Sequence, residues 1–426
     1  MNDLEMHGLV GKPLKILDSQ KTTLVVESGQ SILKGDLINI TNQGVKKYSP
    51  YKLSIDSFVQ ATSVNSGATR YIHLTDSKGV ALYRQDSNQS LKVRVVDFSS
   101  GHYVLGTEFT IVAAASDAFQ MFPLNETQFM IAWQDNTGAG SYVSAYSVAG
   151  TTITHVNTVT AIGNGRPTAA CKLSNSRIAI MYNAGSGFIF VQVATLSGST
   201  ISMTSAFEVA SSFADFGASD VVRLDETTFL AIWGSNQFPF NNPARVVVFS
   251  NNTLSSPQTA VVVNAKASKT MYMKGFAVSP TKAVMCYAGS NHSEAVVLSI
   301  DASTKVITPA TPLVLASHQY AYIHGASHTR DGVEEGVVLL DDPTVAVAKF
   351  LTISGTTLSI KTSIPYAPMQ TYNYGLQYFR KGVLTVGIHM SASNKQGGAL
   401  MKMVKPDGIA LSPGTAGQTI KVMEFN

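Results

Sequence analysis

His324 and His328 are four residues apart, the spacing at which a helix would present two imidazoles to one divalent metal. They stand in "YIHGASHTR", a segment that reads as a strand. In a strand the two share a face about 13 Å apart, from a rise of roughly 3.3 Å per residue, too far for one zinc. Together with His73 they are expected to line a channel, and no metal site is assigned. The other groups able to do chemistry are carboxylates: Asp86, Asp135, Asp215, Asp225, Glu334, Glu335, Asp341 and Asp342. Two carboxylates facing each other could cleave a glycosidic bond. Most of these sit in polar turns, where acids cap and solvate the chain, so no catalytic residue is assigned. No Gly-rich phosphate loop opens a helix and no Ser-His-Asp context is visible, so no cofactor is expected.

Binding chemistry is more visible than catalytic chemistry. The loop "GSNQFPFNNPAR" sets Phe238 and Phe240 among Asn, Gln and Pro. The segments "SHQYAYIHG" and "MQTYNYG" add Tyr320, Tyr322, Tyr372 and Tyr374. Flat rings beside amide side chains suit sugar recognition, and rings in a polar loop also suit packing on the scaffold or on a neighbouring subunit.

These residues are carried by a repeat. Aligned on the end of an apolar run, the chain gives anchors at Leu74, Leu124, Leu173, Leu224, Val278, His328 and Phe379, with gaps of 50, 49, 51, 54, 50 and 51. Nine residues after five anchors stands an aromatic: Tyr83, Trp133, Tyr182, Trp233 or Tyr287. The seventh repeat has Ile388 there, and the sixth departs because "DGVEEGVVLL" inserts a residue or two. A third run and a fourth follow in each unit, rich in Val, Ile and Thr and bounded by turns, which is strand chemistry. Seven four-stranded antiparallel meanders make an all-β fold, a seven-bladed β-propeller. The repeated aromatics are expected to pack between blades.

The meander sorts the connections. Turns joining strands one to two and three to four are tight, as in "NET" and "DET". Loops joining strands two to three, and blade to blade, are longer and more varied, and they lie at the other end. That end is the candidate binding surface, because binding residues concentrate on loops held by a rigid scaffold.

Composition narrows the setting. Hydrophobic residues make 45% of the chain and charged residues only 14%, against the roughly 25% usual for soluble domains. The net charge of +4 is spread without a basic stripe, which speaks against nucleic acid. Cys171 and Cys286 lie in apolar runs and are expected as buried thiols. No apolar run approaches a membrane span, so no membrane insertion is expected. "MNDLEMHGLVGK" has no basic segment before an apolar core, so the expectation is synthesis in a cytoplasm without secretion by a signal peptide.

Residues 1–57 and 406–426 fall outside the blade period, leaving 58–405 to the propeller. Both ends read as short strands with Gly turns, and pairing them into one small β-barrel-like domain would cover their edges. The pair "KGDLINITNQGVKK" and "DGIALSPGTAGQTIKV" resembles tailed-bacteriophage virion proteins that carry a small β domain of the capsid-decoration and tail-fibre attachment kind. The pattern is Gly35 and Asp36 before an apolar strand, then Gly408, Ile409, Ala410 and Gly417 before "TIKV", covering roughly 40 of the 426 residues. The blades lack the tryptophan-aspartate and kelch signatures, and also the Ser-x-Asp-x-Gly-x-Thr-Trp turn of sialidases.

The resemblance implies a virion structural protein that docks through the small domain by Gly35, Asp36, Gly408, Ile409 and Gly417. Its partners would be other virion proteins, its own copies in a homo-oligomer, and host-surface polysaccharide bound by the propeller during adsorption. The alternatives are head or neck decoration without receptor binding, and a propeller glycosidase.

Overall fold

The structure is a computed structural model of the 426-residue chain. It describes residues 66–368 apart from 76, 86–87, 98–103, 136–139, 164, 185–186, 212–213, 236–239, 267–271, 289–291, 318–322, 329–334 and 343–344. Outside that span it describes 21–26, 31–32, 37–41, 44–47, 59–60, 371–372, 378–380, 383–390, 395–402, 408–410, 414–415 and 419–424. The chain divides into two compact units, residues 1–52 with 402–426, and residues 53–401.

In the larger unit the described residues form seven antiparallel sheets in chain order: 66–112, 115–163, 166–210, 214–266, 272–316, 323–368 and 371–402. The fourth shows the plan. Ala214–Arg223, Thr228–Ser235 and Phe240–Ser250 are consecutive neighbours, and the edge is shared by two short strands, Thr253–Ser255 and Val261–Lys266. The seventh sheet departs from a plain meander, because its outermost strand, Val59–Gln60, comes from ahead of the first sheet. It pairs Gln60 with Gly397 and Val59 with Gly398. The innermost strands of successive sheets lie side by side, and Val383–Met390 of the seventh lies against Ser66–Thr75 of the first.

Side-chain alternation explains the repeated phrase. In "TFLAIW", Phe229, Ala231 and Trp233 pack with Cys171, Met181 and Val191 of the third sheet. Leu230 and Ile232 pack with Met285, Tyr287 and Val296 of the fifth. Both faces of the sheet are therefore buried, and the run is apolar throughout rather than alternating. The repeated aromatics sit between sheets. Trp133, Tyr182, Trp233 and Tyr287 each join the core shared by their own sheet and the one before it.

The sixth sheet keeps the plan with a longer hairpin. Its strands Ile323–His328 and Glu335–Asp342 set Leu340 opposite Ile323, and Leu340 occupies the core between the fifth and sixth sheets. A leucine thus stands where the first five sheets carry a ring.

The tight turn has one chemistry in five repeats. The side chain after the anchor accepts a hydrogen bond from the backbone N–H two residues on. Thr75 Oγ1 accepts from Ser77 at 3.2 Å, Asn125 Oδ1 from Thr127 at 3.0 Å and Ser174 Oγ from Ser176 at 3.3 Å. Asp225 Oδ1 accepts from Thr227 at 2.7 Å and Ser279 Oγ from Thr281 at 3.3 Å. Asp, Asn, Ser and Thr recur there because each can close this local ring.

In the smaller unit the described strands form a five-stranded sheet in the order Lys21–Val25, Thr419–Glu424, Gly408–Ala410, Leu37–Thr41, Gly44–Lys47. A separate pair joins Ser31–Ile32 to Gly414–Thr415. By register Leu24, Ile38, Ile40, Val45, Ile420 and Val422 share one face with Thr22, Lys47 and Glu424, while Val25, Leu37, Ile409 and Met423 share the other with Lys21, Thr23, Asn39, Lys46 and Lys421. Gly408 and Ile409 lie opposite Ile38 and Leu37, whereas Gly35, Asp36 and Gly417 are outside the described residues.

Candidate functional site

The candidate sugar-binding rings fall largely beyond what the structure describes. Phe238, Tyr320, Tyr322 and Tyr374 are outside the described residues. Phe240 opens the strand Phe240–Ser250 opposite Lys266, and Tyr372 ends the short strand Thr371–Tyr372 opposite His389.

The carboxylates are dispersed. Asp135 ends the second strand of its sheet, at the loop end. Asp225 closes a tight turn at the opposite end of its own sheet. Asp215 lies in Ala214–Arg223, and Glu335, Asp341 and Asp342 lie in Glu335–Asp342. Asp86 and Glu334 are outside the described residues. Burial pulls the Asp225 carboxyl up, but hydrogen bonds from Thr227 and Thr228 outweigh it and hold the group below its ordinary range. A carboxylate held ionised in a turn is suited to capping, not to proton donation.

His324 and His328 share one strand, Ile323–His328, and His73 is buried with Nδ1 3.3 Å from the Thr75 carbonyl. Among the described residues no three His, Cys, Asp or Glu side chains converge as metal ligands would.

A row of polar residues on the innermost strands was not singled out from the sequence. Arg70, Gln120, Asp220, Lys274 and His324 each stand four residues before an anchor. Arg70 Nε donates to Gln120 Oε1 at 3.3 Å, and Gln120 Nε2 donates to the Thr168 carbonyl at 2.8 Å. Asp220 Oδ2 accepts the Gly275 N–H at 2.9 Å, and Lys274 Nζ lies 3.9 Å from Asp220 Oδ1. Each contact passes from one sheet to the next. The signal was available as a polar interruption at one repeat position, but only the fold shows that the interruptions meet.

Burial raises the Asp220 carboxyl above its ordinary range, against the pull of Lys274 and the N–H groups of Gly275 and Val221. Cys171 and Cys286 are both free and buried, and burial, with Asp220 adding to it, pushes their thiols well above the usual range. Such thiols are poor nucleophiles.

The loop end carries most of the remaining aromatic chemistry. Tyr287 Oη donates to Glu294 at 2.6 Å, and His292 Nε2 lies 3.1 Å from the same carboxylate. Tyr83 likewise donates to Glu108, which also accepts from Lys92 at 2.6 Å. Trp133 Nε1 donates to Ser144 Oγ at 3.0 Å, and Tyr142 stacks on its indole at 4.6 Å. These rings belong to the scaffold. Phe188 and Phe190 differ: their centroids are 6.3 Å apart at an interplanar angle of 28°, and both are half-buried.

No protein-family model matches the sequence, and no curated protein does. Solved structures do match. Sqt1 from Chaetomium thermophilum aligns over 87% of this chain and 100% of its own at 12% identity, with a TM-score of 0.52. A protein from Lactobacillus plantarum aligns over 78% of this chain and 98% of its own at 15% identity, with a TM-score of 0.51. The β-propeller domain of the Trilobed protease from Pyrococcus furiosus aligns over 80% and 98% at 6% identity, with a TM-score of 0.48. The succession of four-stranded antiparallel sheets, with the neighbours above a TM-score of 0.5, makes the fold a β-propeller. At these identities the likeness is one of fold, and the propeller's sheets serve as the frame for any site on its loops.

Proposed function

We propose that the chain is a non-catalytic binding propeller of a bacteriophage particle. Its terminal unit attaches to other virion proteins, and its propeller binds host-surface carbohydrate during adsorption. Support for a closed ring of seven blades comes from the inner strands that lie side by side from the first sheet to the seventh, and from Val383–Met390 of the seventh, which lies against Ser66–Thr75 of the first. Strands from both chain ends share one sheet, which suits a compact attachment module. Attachment to a virion rests on the resemblance around Gly35, Asp36 and residues 408–417.

The observation that carries a binding rather than a hydrolytic role is how the described polar groups are used. Asp225 closes a turn, and Arg70, Gln120 and Asp220 bond between sheets. Asp135 and Asp225 stand at opposite ends of their sheets, so they cannot form the facing pair that glycoside hydrolysis uses.

The test is immunogold electron microscopy of purified particles of the phage encoding this chain. Label on tail tip or fibres is the expected result. Label on the head or neck replaces adsorption with decoration, and unlabelled particles overturn the virion reading.

A further inference from the structure

We propose that the smaller unit docks through the face of its sheet opposite Val26, and that this face takes an acidic protein surface. The proposal rests on the attachment reading above and gives the attachment a face and a partner chemistry.

The sheet has two unlike faces. Laid flat, five strands would hold their edges about 19 Å apart, from a spacing of roughly 4.8 Å. The edge strands Lys21–Val25 and Gly44–Lys47 instead come within 8 Å of each other, Cα to Cα, so the sheet is strongly curved. Val26 is 1% exposed and continues the alternation of Thr22 and Leu24. Its face, shared with Ile38, Ile40, Val45, Ile420 and Val422, is therefore the enclosed one.

The opposite face has the layout of an interface. Lys21, Met423, Ile409 and Leu37 stand in one row across four neighbouring strands. Lys421, opposite Thr23, and Lys46, opposite Asn39, fall on the same face to either side of that row. The pattern is an apolar strip with a cationic border, and protein interfaces combine an apolar centre with a polar rim. Ile409, expected from the sequence as a docking residue, lies inside the strip.

Charge selects the partner. No Asp or Glu of the described strands falls on this face, and Glu424 falls on the other. Residues 1–52 and 402–426 hold ten lysines, no arginine and seven acidic residues, so this unit carries +3 of the chain's +4. Carboxylates around an apolar patch on the partner would meet the lysines, and such complementarity speeds encounter and fixes register. A second copy docked about a two-fold axis would gather the same lysines twice in one interface, which like charge disfavours. Nucleic acid would use the lysines but leave Leu37, Ile409 and Met423 unmatched, because its backbone is charged throughout.

The experiment supplies the full chain from a plasmid to a phage lacking its gene. Quantitative immunoblotting then measures the chain retained on purified particles. Wild type should be retained at low salt and released progressively as NaCl rises, because charge pairs are screened. Lys21→Glu, Lys46→Glu and Lys421→Glu together should reduce retention about tenfold or more at an unchanged melting temperature. Lys47→Glu makes the same change of sign on the Val26 face and should leave retention near wild type. Lys421→Ala alone should reduce retention about twofold or more, a readout that stands even if the triple variant fails to fold. Full retention of a folded triple variant, or an equal loss in Lys47→Glu, overturns the face and leaves attachment intact. Release of wild type by nuclease would give the face to nucleic acid, and dimers of the isolated chain that the triple change dissolves would give it to a second copy. Either result overturns the acidic partner. Wild type absent from the particles overturns both the proposal and the attachment reading.

Discussion

Asp220 of the fourth sheet accepts the backbone N–H of Gly275 in the fifth at 2.9 Å. The bond is possible because residue 275 has no side chain. A Cβ there would stand 2.6 Å from Val222 Cγ2, 3.1 Å from Ile232 Cδ1 and 3.1 Å from the Val284 carbonyl. Glycine thus sets how closely the two inner strands approach, and the approach sets the hydrogen bond.

Gly275→Ala should therefore destabilise the propeller by about 1–3 kcal/mol, the usual cost of overpacking. Urea unfolding at neutral pH would measure it. A variant as stable as wild type would show that the fourth and fifth sheets can separate slightly without loss.

Asp225→Ala should cost about 1 kcal/mol, because the Thr227 N–H and hydroxyl both lose their acceptor. Asp225→Asn should cost less, since Asn125 closes the equivalent turn of the second repeat through its amide oxygen. The two differ in acid. The folded Asp225 carboxyl lies below its ordinary range, so its contribution is present above the unfolded value and is lost as pH falls through the folded one. Thermal melts from neutral to acid pH should show this loss in wild type and a smaller one in Asp225→Asn.

The difference between what was legible and what was not has a physical cause in each case. The hairpins were legible because burial on both faces makes runs such as "TFLAIW" continuous, and a turn with a side-chain acceptor interrupts them at a fixed place. The sixth repeat was harder to register, because the stretch between His328 and Glu335 lengthens the hairpin and Leu340 replaces the ring. The strand Val59–Gln60 left no periodic trace, since two residues are too few to show alternation. The row from Arg70 to Lys274 was visible residue by residue, but its meaning depends on which sheets adjoin. For the candidate site, the rings that the sequence marked in polar loops, Phe238, Tyr320, Tyr322 and Tyr374, lie outside the described residues.

Trp233→Ala should be the more severe core change. Trp233 is 2% exposed and fills the space between the third and fourth sheets with Phe229 and Phe249. Truncating a buried tryptophan typically costs about 3–5 kcal/mol, from lost burial and the cavity left behind. Denaturant unfolding would check this. A loss below about 1 kcal/mol would mean that the neighbouring sheets collapse into the space.

The last prediction concerns pH and Asp220. Burial raises its folded carboxyl above the ordinary aspartate range. Between the unfolded and folded values the native chain holds a proton that the unfolded chain has released. Stability must then fall as pH rises across that window, the opposite of the Asp225 effect. Lys274, 3.9 Å away, and the N–H groups of Gly275 and Val221 limit the rise. Asp220→Asn keeps an oxygen for the Gly275 N–H but cannot titrate. Wild type should lose stability as pH climbs out of the acid range, with Asp220→Asn flatter over the same interval. Parallel curves for the two proteins would mean that the Asp220 carboxyl titrates alike in the folded and unfolded chain, so that its contacts with Gly275 and Lys274 offset the burial in full.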